Sequence, residues 1–246
     1  MRRVIERELL DDLPADDPRA IHSRRDLRRA NAWMGHARIM AARLREAFPG
    51  QPPRSIVELG AGDGTFLLRI ARRLGPAWKP SNVILVDRQH LLAAQTRKAF
   101  EGMSWNVQVK QMDVFDWASA EPHSTDLMIV NLFLHHFTND DLHKLFGRLA
   151  ELTGFFLACE PRRSNGALRA TSLLRIIGCN DVTLHDARLS VRAGFAGGEL
   201  SQLWPDHAGW HVEERRAGWV SHCFAAGRAP GQTGLVNSMR HDGPPT

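Results

Sequence analysis

The 246-residue chain is 43% hydrophobic and 24% charged, a balance that builds a folded core and excludes the disordered and fibrous classes. Its length holds one α/β domain with an appended or inserted element, and is too short for two large domains. The net charge of +5 comes mostly from arginines spread along the chain, among them Arg24, Arg25, Arg28 and Arg29 and the pairs Arg72-Arg73, Arg162-Arg163 and Arg215-Arg216. These read as solvated helix faces, so nucleic acid is disfavoured as a partner. The cysteines, Cys159, Cys179 and Cys223, lie far apart and form neither a zinc spacing nor a disulfide framework, so no metal site is expected. Met1-Arg2-Arg3 leads into acidic residues rather than an apolar signal segment, and no apolar run approaches a transmembrane span. A cytoplasmic location is the corresponding expectation.

The first fifty residues carry helical signals and no strands. Asp17-Pro18 sets an N-cap before a proline at the first helical position, and Pro49-Gly50 stops the segment ending in Phe48. Residues 1–50 are therefore expected to form an N-terminal helical cap. From Ser55, short β-rich runs alternate with amphipathic stretches: residues 55–60, 65–75, 82–87 and 90–102. Gly75-Pro76 and Gly102 fall just past the two helical patterns, where left-handed C-caps are expected. The series continues with strands in 105–113 and 126–133, a helix from Asn139 as N-cap to Thr153, and the apolar strand 154–160. A helical stretch then spans 167–178, and the glycine-punctuated residues 182–205 interrupt the alternation, which reads as an insertion over about 162–209. Residues 210–218 and 219–228 are β-like runs joined by a short turn at Ala217-Gly218, pairing antiparallel. Residues 229–246 read as a disordered tail.

The sharpest signal is Val57-Glu58-Leu59-Gly60-Ala61-Gly62-Asp63-Gly64, a strand ending in an acid, then three alternate glycines, then a helix. Glycines at such a turn permit left-handed backbone angles and let the chain approach a ligand closely. A nicotinamide-binding turn reads G-x-G-x-x-G, and Thr65 stands where its third glycine belongs. Asp87 closes the next strand, where a carboxylate can accept two hydrogen bonds from ribose hydroxyls. Asp113 closes the strand after that. Together these residues resemble motif I and the following acids of the class I, Rossmann-like S-adenosylmethionine-dependent methyltransferases, over about residues 51–228.

That resemblance implies S-adenosyl-L-methionine as cofactor. Glu58, Gly60, Ala61, Gly62 and Gly64 would surround its methionine and ribose parts, with Asp87 and Arg88 at the ribose. Asp113 and Val114 would meet the adenine, and Asn131 and Leu132 would border the sulfonium. Taken singly, each acid also reads as a turn former or helix N-cap.

Residues 126–137, from Asp126 through Asn131-Leu132-Phe133-Leu134-His135-His136-Phe137, are similar to the strand-loop of the small-molecule methyltransferases of ubiquinone and menaquinone biosynthesis. Enzymes that methylate exocyclic amines carry Asn- or Asp-Pro-Pro-aromatic here. Leu132-Phe133 replaces those prolines, which leaves oxygen or carbon acceptors. An oxygen acceptor needs a base near its hydroxyl, and histidine is the obvious type. His135 and His136 at the carboxyl edge of the sheet are candidates, as is His185 beside Asp186 in the insertion. Each has a plainer alternative: the first two can shape the pocket, and the third can end a polar loop. Trp33, Met34, Gly35 and His36 in the cap, with Phe195, Leu203 and Trp204 in the insertion, offer apolar surface on the two segments that would close over the cofactor, although each taken singly reads more simply as ordinary core packing.

The expected fold is α/β: a doubly wound, mostly parallel seven-stranded sheet with a helical N-terminal cap over 1–50, a Rossmann-like domain over 51–228 and an insertion before the last hairpin. The expected function is methyl transfer to a small, partly apolar acceptor, by O- or C-methylation of an aromatic, quinone or polyketide-like compound. RNA or protein methylation, an inactive cofactor-binding interaction protein and a nicotinamide dehydrogenase are the alternatives.

Overall fold

The computed structural model describes residues 1–14, 16–205 and 208–228. The expected disordered tail, 229–246, lies outside the described residues. The N-terminal region forms α1 (Leu9–Asp12), α2 (Pro18–Met34) and α3 (His36–Ala47). Asp17 caps α2 by accepting from Arg19 N, with Pro18 at the first helical position, and Gly35 at φ 70° divides α2 from α3. The alternating series follows as β1 (Ser55–Leu59), α4 (Thr65–Leu74), β2 (Asn82–Asp87), α5 (Ala94–Glu101), β3 (Val107–Gln111), α6 (Val114–Ala120), β4 (Thr125–Asn131), α7 (Asn139–Leu152) and β5 (Thr153–Pro161). Then come α8 (Asn165–Ala170), α9 (Asp181–Ala193), α10 (Glu199–Leu203), β6 (Trp210–Ala217) and β7 (Ser221–Arg228).

The seven strands lie in the order β3-β2-β1-β4-β5-β7-β6. The first five pair in parallel, and β7 runs antiparallel to both β5 and β6. This is the doubly wound, mostly parallel sheet expected, with the antiparallel hairpin at one edge. The middles of the central strands are apolar because both faces are covered. On one face Met40, Ala41 and Leu44 of α3 pack with Leu67, Ile70 and Phe100, so α3 is built into the core. On the other face Phe146, Phe156, Trp204 and Phe224 stack together with ring centroids 5.1–6.0 Å apart.

Local boundaries differ from expectation where side-chain capping decides them. Thr138, not Asn139, caps α7: its Oγ1 accepts from Asp141 N, and Asn139 is the first helical residue. Gly102 ends α5 with a right-handed φ of −62°, and Gly75 ends α4 with a positive φ of 85° but an extended ψ of −176°, so neither takes the left-handed helical cap expected. The stretch 182–205, expected as an interruption, holds α9 and α10. Asn180 caps α9 by accepting from Thr183 N. No helix among the described residues is long and apolar enough to cross a membrane.

Phe156 is fully buried between the rings of Phe146, Trp204 and Phe224. Phe156→Ala is expected to destabilise the fold by about 3–5 kcal/mol in urea unfolding; a loss under about 1 kcal/mol would refute the packing assigned to this face.

Candidate functional site

A cavity of about 490 Å³ opens between β1 and β4, the point where the strand order reverses. One wall is the turn after β1. Gly60, Gly62 and Gly64 take φ of 67°, 55° and 70°, the left-handed region that an ordinary side chain resists. A Cβ on Gly60 would also stand 2.5 Å from the Phe133 ring. Gly60 N and Ala61 N donate to Val86 O, and Gly62 N donates to Asp87 Oδ2 at 2.8 Å. Asp87 Oδ1 accepts from Gln89 N at 2.8 Å. The carboxylate thus ties two loops together and keeps lone pairs for a ligand.

Glu58 is the penultimate residue of β1, beneath this turn. It is buried, and its Oε2 has no hydrogen-bond partner. Burial first, then repulsion from Asp63 and Asp87, raises its carboxyl well above the usual range.

Of the expected cofactor residues, Glu58, Gly60, Ala61, Gly62, Asp87, Asn131 and Leu132 line the cavity. Gly64, Arg88, Asp113 and Val114 are not part of its wall. Gly64 packs beneath the turn, where a Cβ would sit 3.0 Å from Leu85 and Leu92. Asp113 caps α6, accepting from Phe115 N at 2.8 Å, and Val114 lies in the core. The alternative reading of Asp113 as an N-cap therefore describes its contact here.

Cap and insertion form the opposite wall. Trp33 and Met34 from α2 face Thr171, Leu174 and Ser190. Phe195, Leu203 and Trp204 do not join them. Phe195 and Trp204 are buried on the α7 face of the sheet and Leu203 packs against that cluster, which is the core packing that each singly suggested and not the closing surface. His36 is buried as well. Its Nδ1 is 2.7 Å from Asn131 Oδ1 and its Nε2 is 2.5 Å from Ser221 Oγ. Burial lowers its pKa, so it is a neutral ring orienting Asn131.

The N-terminal strap is the element sequence reasoning missed. Arg3 donates to Ala193 O, Phe137 O and Asn139 Oδ1, and its guanidinium lies 4.4 Å from the Phe195 ring centre. Val4 N donates to Arg192 O, while Leu9 N and Leu10 N donate to the Asp186 carboxylate at 2.9 and 3.0 Å. So anchored along α9, the strap delivers Glu8 into the cavity wall, hydrogen-bonded to Ser190 Oγ. Asp186 is thereby a strap anchor. His185 leans on it at 3.1 Å with half its ring exposed, outside the cavity, which removes it from the base candidates.

His135 and His136 occupy a short 3₁₀ turn after β4 and have opposite electrostatics. Buried Glu160, at the end of β5, accepts from Phe133 N and Leu134 N at 2.9 Å and faces His135 Nδ1 at 2.7 Å. Glu8 Oε1 stands 3.5 Å from His135 Nε2. Burial opposes charging His135, but the hydrogen bonds and charges of Glu160 and Glu8 outweigh it and raise the ring to about 9. His135 is therefore a cation at neutral pH and cannot serve as the base. In His136, burial and then the His135 charge lower the pKa to about 4 against the pull of Glu8 and Glu160. His136 is therefore a neutral ring at pH 7. For Glu8, burial is outweighed by His135 and Ser190, which hold its carboxyl at about 2. Ligand atoms of Glu8, His135 and His136 all lie within 4.8 Å of one another. Neither Glu8 nor Glu160 is near these histidines in sequence, and no local spacing signals the cluster.

Residues 56–153 match the family model described as a methyltransferase domain. No curated protein sequence matches the chain. Among solved structures, the plantazolicin methyltransferase BpumL in complex with SAH superimposes with a TM-score of 0.61 at 12% identity, covering 87% of this chain and 92% of that one. An O-methyltransferase family protein from Burkholderia thailandensis gives 0.56 at 21% identity, over 89% of this chain and 62% of its own. Magnesium protoporphyrin IX methyltransferase from Synechocystis PCC 6803 with bound SAH gives 0.53 at 13% identity, over 80% and 83%. Fold, switch-point cavity and glycine turn together define a Rossmann-like methyltransferase architecture. The match over residues 56–153 lies within this fold and spans β1 through α7 and the start of β5.

The His135 charge makes stability depend on pH with a definite sign. A histidine in the unfolded chain releases its proton near 6.5, whereas His135 holds it to about 9. Its contribution is fully present below pH 6.5 and is lost as pH rises to 9. Urea unfolding of the wild type should lose stability across that window, and His135→Gln, itself less stable, should lose less; identical slopes would sink the assignment.

Proposed function

We propose that this chain binds S-adenosylmethionine against the turn after β1 and transfers its methyl group to a small, partly apolar molecule held beneath the strap. The observation that carries this reading is one continuous cavity with two chemically distinct halves. The inner half has the glycine turn, Asp87 and the unpartnered Glu58 oxygen, a donor-and-acceptor set suited to an amino acid joined to a ribose. The outer half has Leu10, Leu27, Trp33, Met34 and Leu174, with Glu8 and His136 as its polar edge. The bound cofactor would supply an electrophilic methyl whose carbon–sulfur bond breaks with the electron pair remaining on sulfur.

The protein's own work is alignment and exclusion of water. Asp87 would accept from the ribose hydroxyls while still holding Gly62. Glu58 would take a hydrogen bond from the methionine part, ending its isolation. Leu132 sits at φ 52°, a left-handed angle uncommon for leucine, and brings the backbone after β4 to the cavity. Asn131, held by His36, fixes the other side of that position. The outer half favours acceptors with apolar rings or short chains over polymers, because strap, α2 and insertion wall it in.

Calorimetric titration with S-adenosylhomocysteine tests the reading without knowledge of the acceptor. Micromolar binding is expected, with NAD showing none. Asp87→Ala should weaken binding at least about tenfold, equivalent to ~1.4 kcal/mol. Gly60→Ala should abolish it, since the added methyl meets Phe133. Failure of folded wild type to bind S-adenosylhomocysteine would overturn the proposal.

A further inference from the structure

Trp33 lines the outer half of the cavity and is yet half exposed, which marks the mouth. Three segments meet there: α2, the 3₁₀ turn Thr171–Arg175 and the turn between β6 and β7, the last two contributing Thr171, Leu174 and Val220 to the cavity wall. Ala30 of α2 packs with Leu174 and Cys179, and Arg162 N donates to Val220 O at 2.8 Å, so the segments are held together. Outward from this wall they present large apolar side chains to water. Trp219 is 90% exposed and Ile176 80%, with Leu173 and Ile177 exposed on either side of Ile176 in the chain. Gly218, at φ 78°, is all that the β6–β7 turn needs to reverse the chain, so folding gives no reason for a tryptophan at its tip. The charge around the mouth is one-sided as well. Residues 27–45, 161–180 and 215–228 contain arginines and not one Asp or Glu. Some of these arginines are answered from outside, Arg28 by Asp63, Arg163 by Glu199 and Arg175 by Asp181. Among the described residues, Arg38, Arg169 and Arg216 are exposed and pair with no carboxylate.

We propose that this rim of exposed apolar side chains and unpaired arginines is a docking surface for an anionic lipid bilayer, which turns the mouth of the cavity toward the membrane. Each residue type present has a place at such a surface. Leucine and isoleucine gain by leaving water for acyl chains, and tryptophan settles at the headgroup boundary. Guanidinium groups on long stems reach the lipid phosphates while their methylenes lie along the apolar layer. The charge complementarity selects this occupant over two others. Nucleic acid would engage the arginines, but aliphatic side chains such as Ile176 and Ile177 add nothing to phosphate contacts. A second copy of this face would set arginine against arginine. Docking is independent of the methyl-transfer reading, since it uses only the outside of the cavity mouth.

The test is flotation of the full chain with vesicles of phosphatidylcholine alone or mixed with phosphatidylglycerol, at low and high salt. Wild type should bind the mixed vesicles at least about tenfold more tightly than the neutral ones, and lose most of that preference as salt rises. Ile176→Ser and the double variant Arg169→Gln/Arg216→Gln should each weaken binding to the mixed vesicles about tenfold while keeping the wild-type urea unfolding midpoint. Should Ile176→Ser shift that midpoint, Trp219→Ser takes its place. Lipids brominated along the acyl chain should quench wild-type tryptophan emission more than that of Trp219→Phe, a difference that attraction of charge alone would not produce. Failure of wild type to float with the mixed vesicles, equal binding of the two vesicle types, variants that bind like wild type, or quenching unchanged in Trp219→Phe would each overturn the proposal. So would single-stranded RNA that displaces the vesicles at equal affinity, or a dimer of wild type in sedimentation that Ile176→Ser dissolves, because the surface would then belong to nucleic acid or to a second copy. Loss of S-adenosylhomocysteine binding bears on the methyltransferase reading and not on docking, so the two fail separately.

Discussion

The structure around the cavity depends on the Glu160 carboxylate, fully buried at the end of β5. A lone carboxylate at such depth would be prohibitively unfavourable. It persists because Phe133 N, Leu134 N and the charged His135 ring converge on it. The same contacts fold the chain sharply after β4. Leu132 enters its left-handed angle immediately before the two amides that Glu160 holds, and Phe133 is thrown back over Gly60. The glycine turn after β1 and the turn after β4 are therefore fitted to each other through one buried anion.

Three histidines near this anion illustrate how environment, rather than residue type, assigns chemical roles. His36 is buried against an amide and a hydroxyl and stays neutral; His135 lies between two carboxylates and stays charged; His136, beside that charge, stays neutral. One ring orients Asn131, one supplies a fixed charge, and one is a neutral part of the cavity wall. Their separation is maintained by the sheet, since Glu160 and Asn131 lie on adjacent parallel strands whose register is set by the core.

Legibility in the sequence followed the range of the interaction. Alternating apolar runs and glycine punctuation revealed the doubly wound sheet because those signals are local. The turn Gly60-Ala61-Gly62 and Asp87 were readable for the same reason: each sits where its own strand ends. Asp113 was ambiguous, since a strand-end acid before a helix is equally an N-cap, and capping is the contact it makes. His185-Asp186 looked like a dyad because the two are adjacent. The partners that give Asp186 its role are amides more than 170 positions away in the strap. Glu8 carried no signal at all, and the divergence of His135 from His136 depends on it and on Glu160. Phe195 and Trp204 were readable as apolar, and of their two readings, core or closing surface, the core holds them; periodicity alone does not choose between these.

The strap's anchoring has a consequence for how the molecule comes into being. Its hydrogen-bonding partners on α9 lie far along the chain, Asp186 coming 177 positions after Leu9, so residues 3–10 acquire these native neighbours only after the first five strands have been made. A ribosome-bound fragment ending before α9 can complete the first five strands and the glycine turn, yet has no surface to receive residues 3–10. The ligand turn is thus an early product of folding and the acceptor chamber a late one. A fused segment ahead of Met1 would act on that last closing step and leave the sheet untouched.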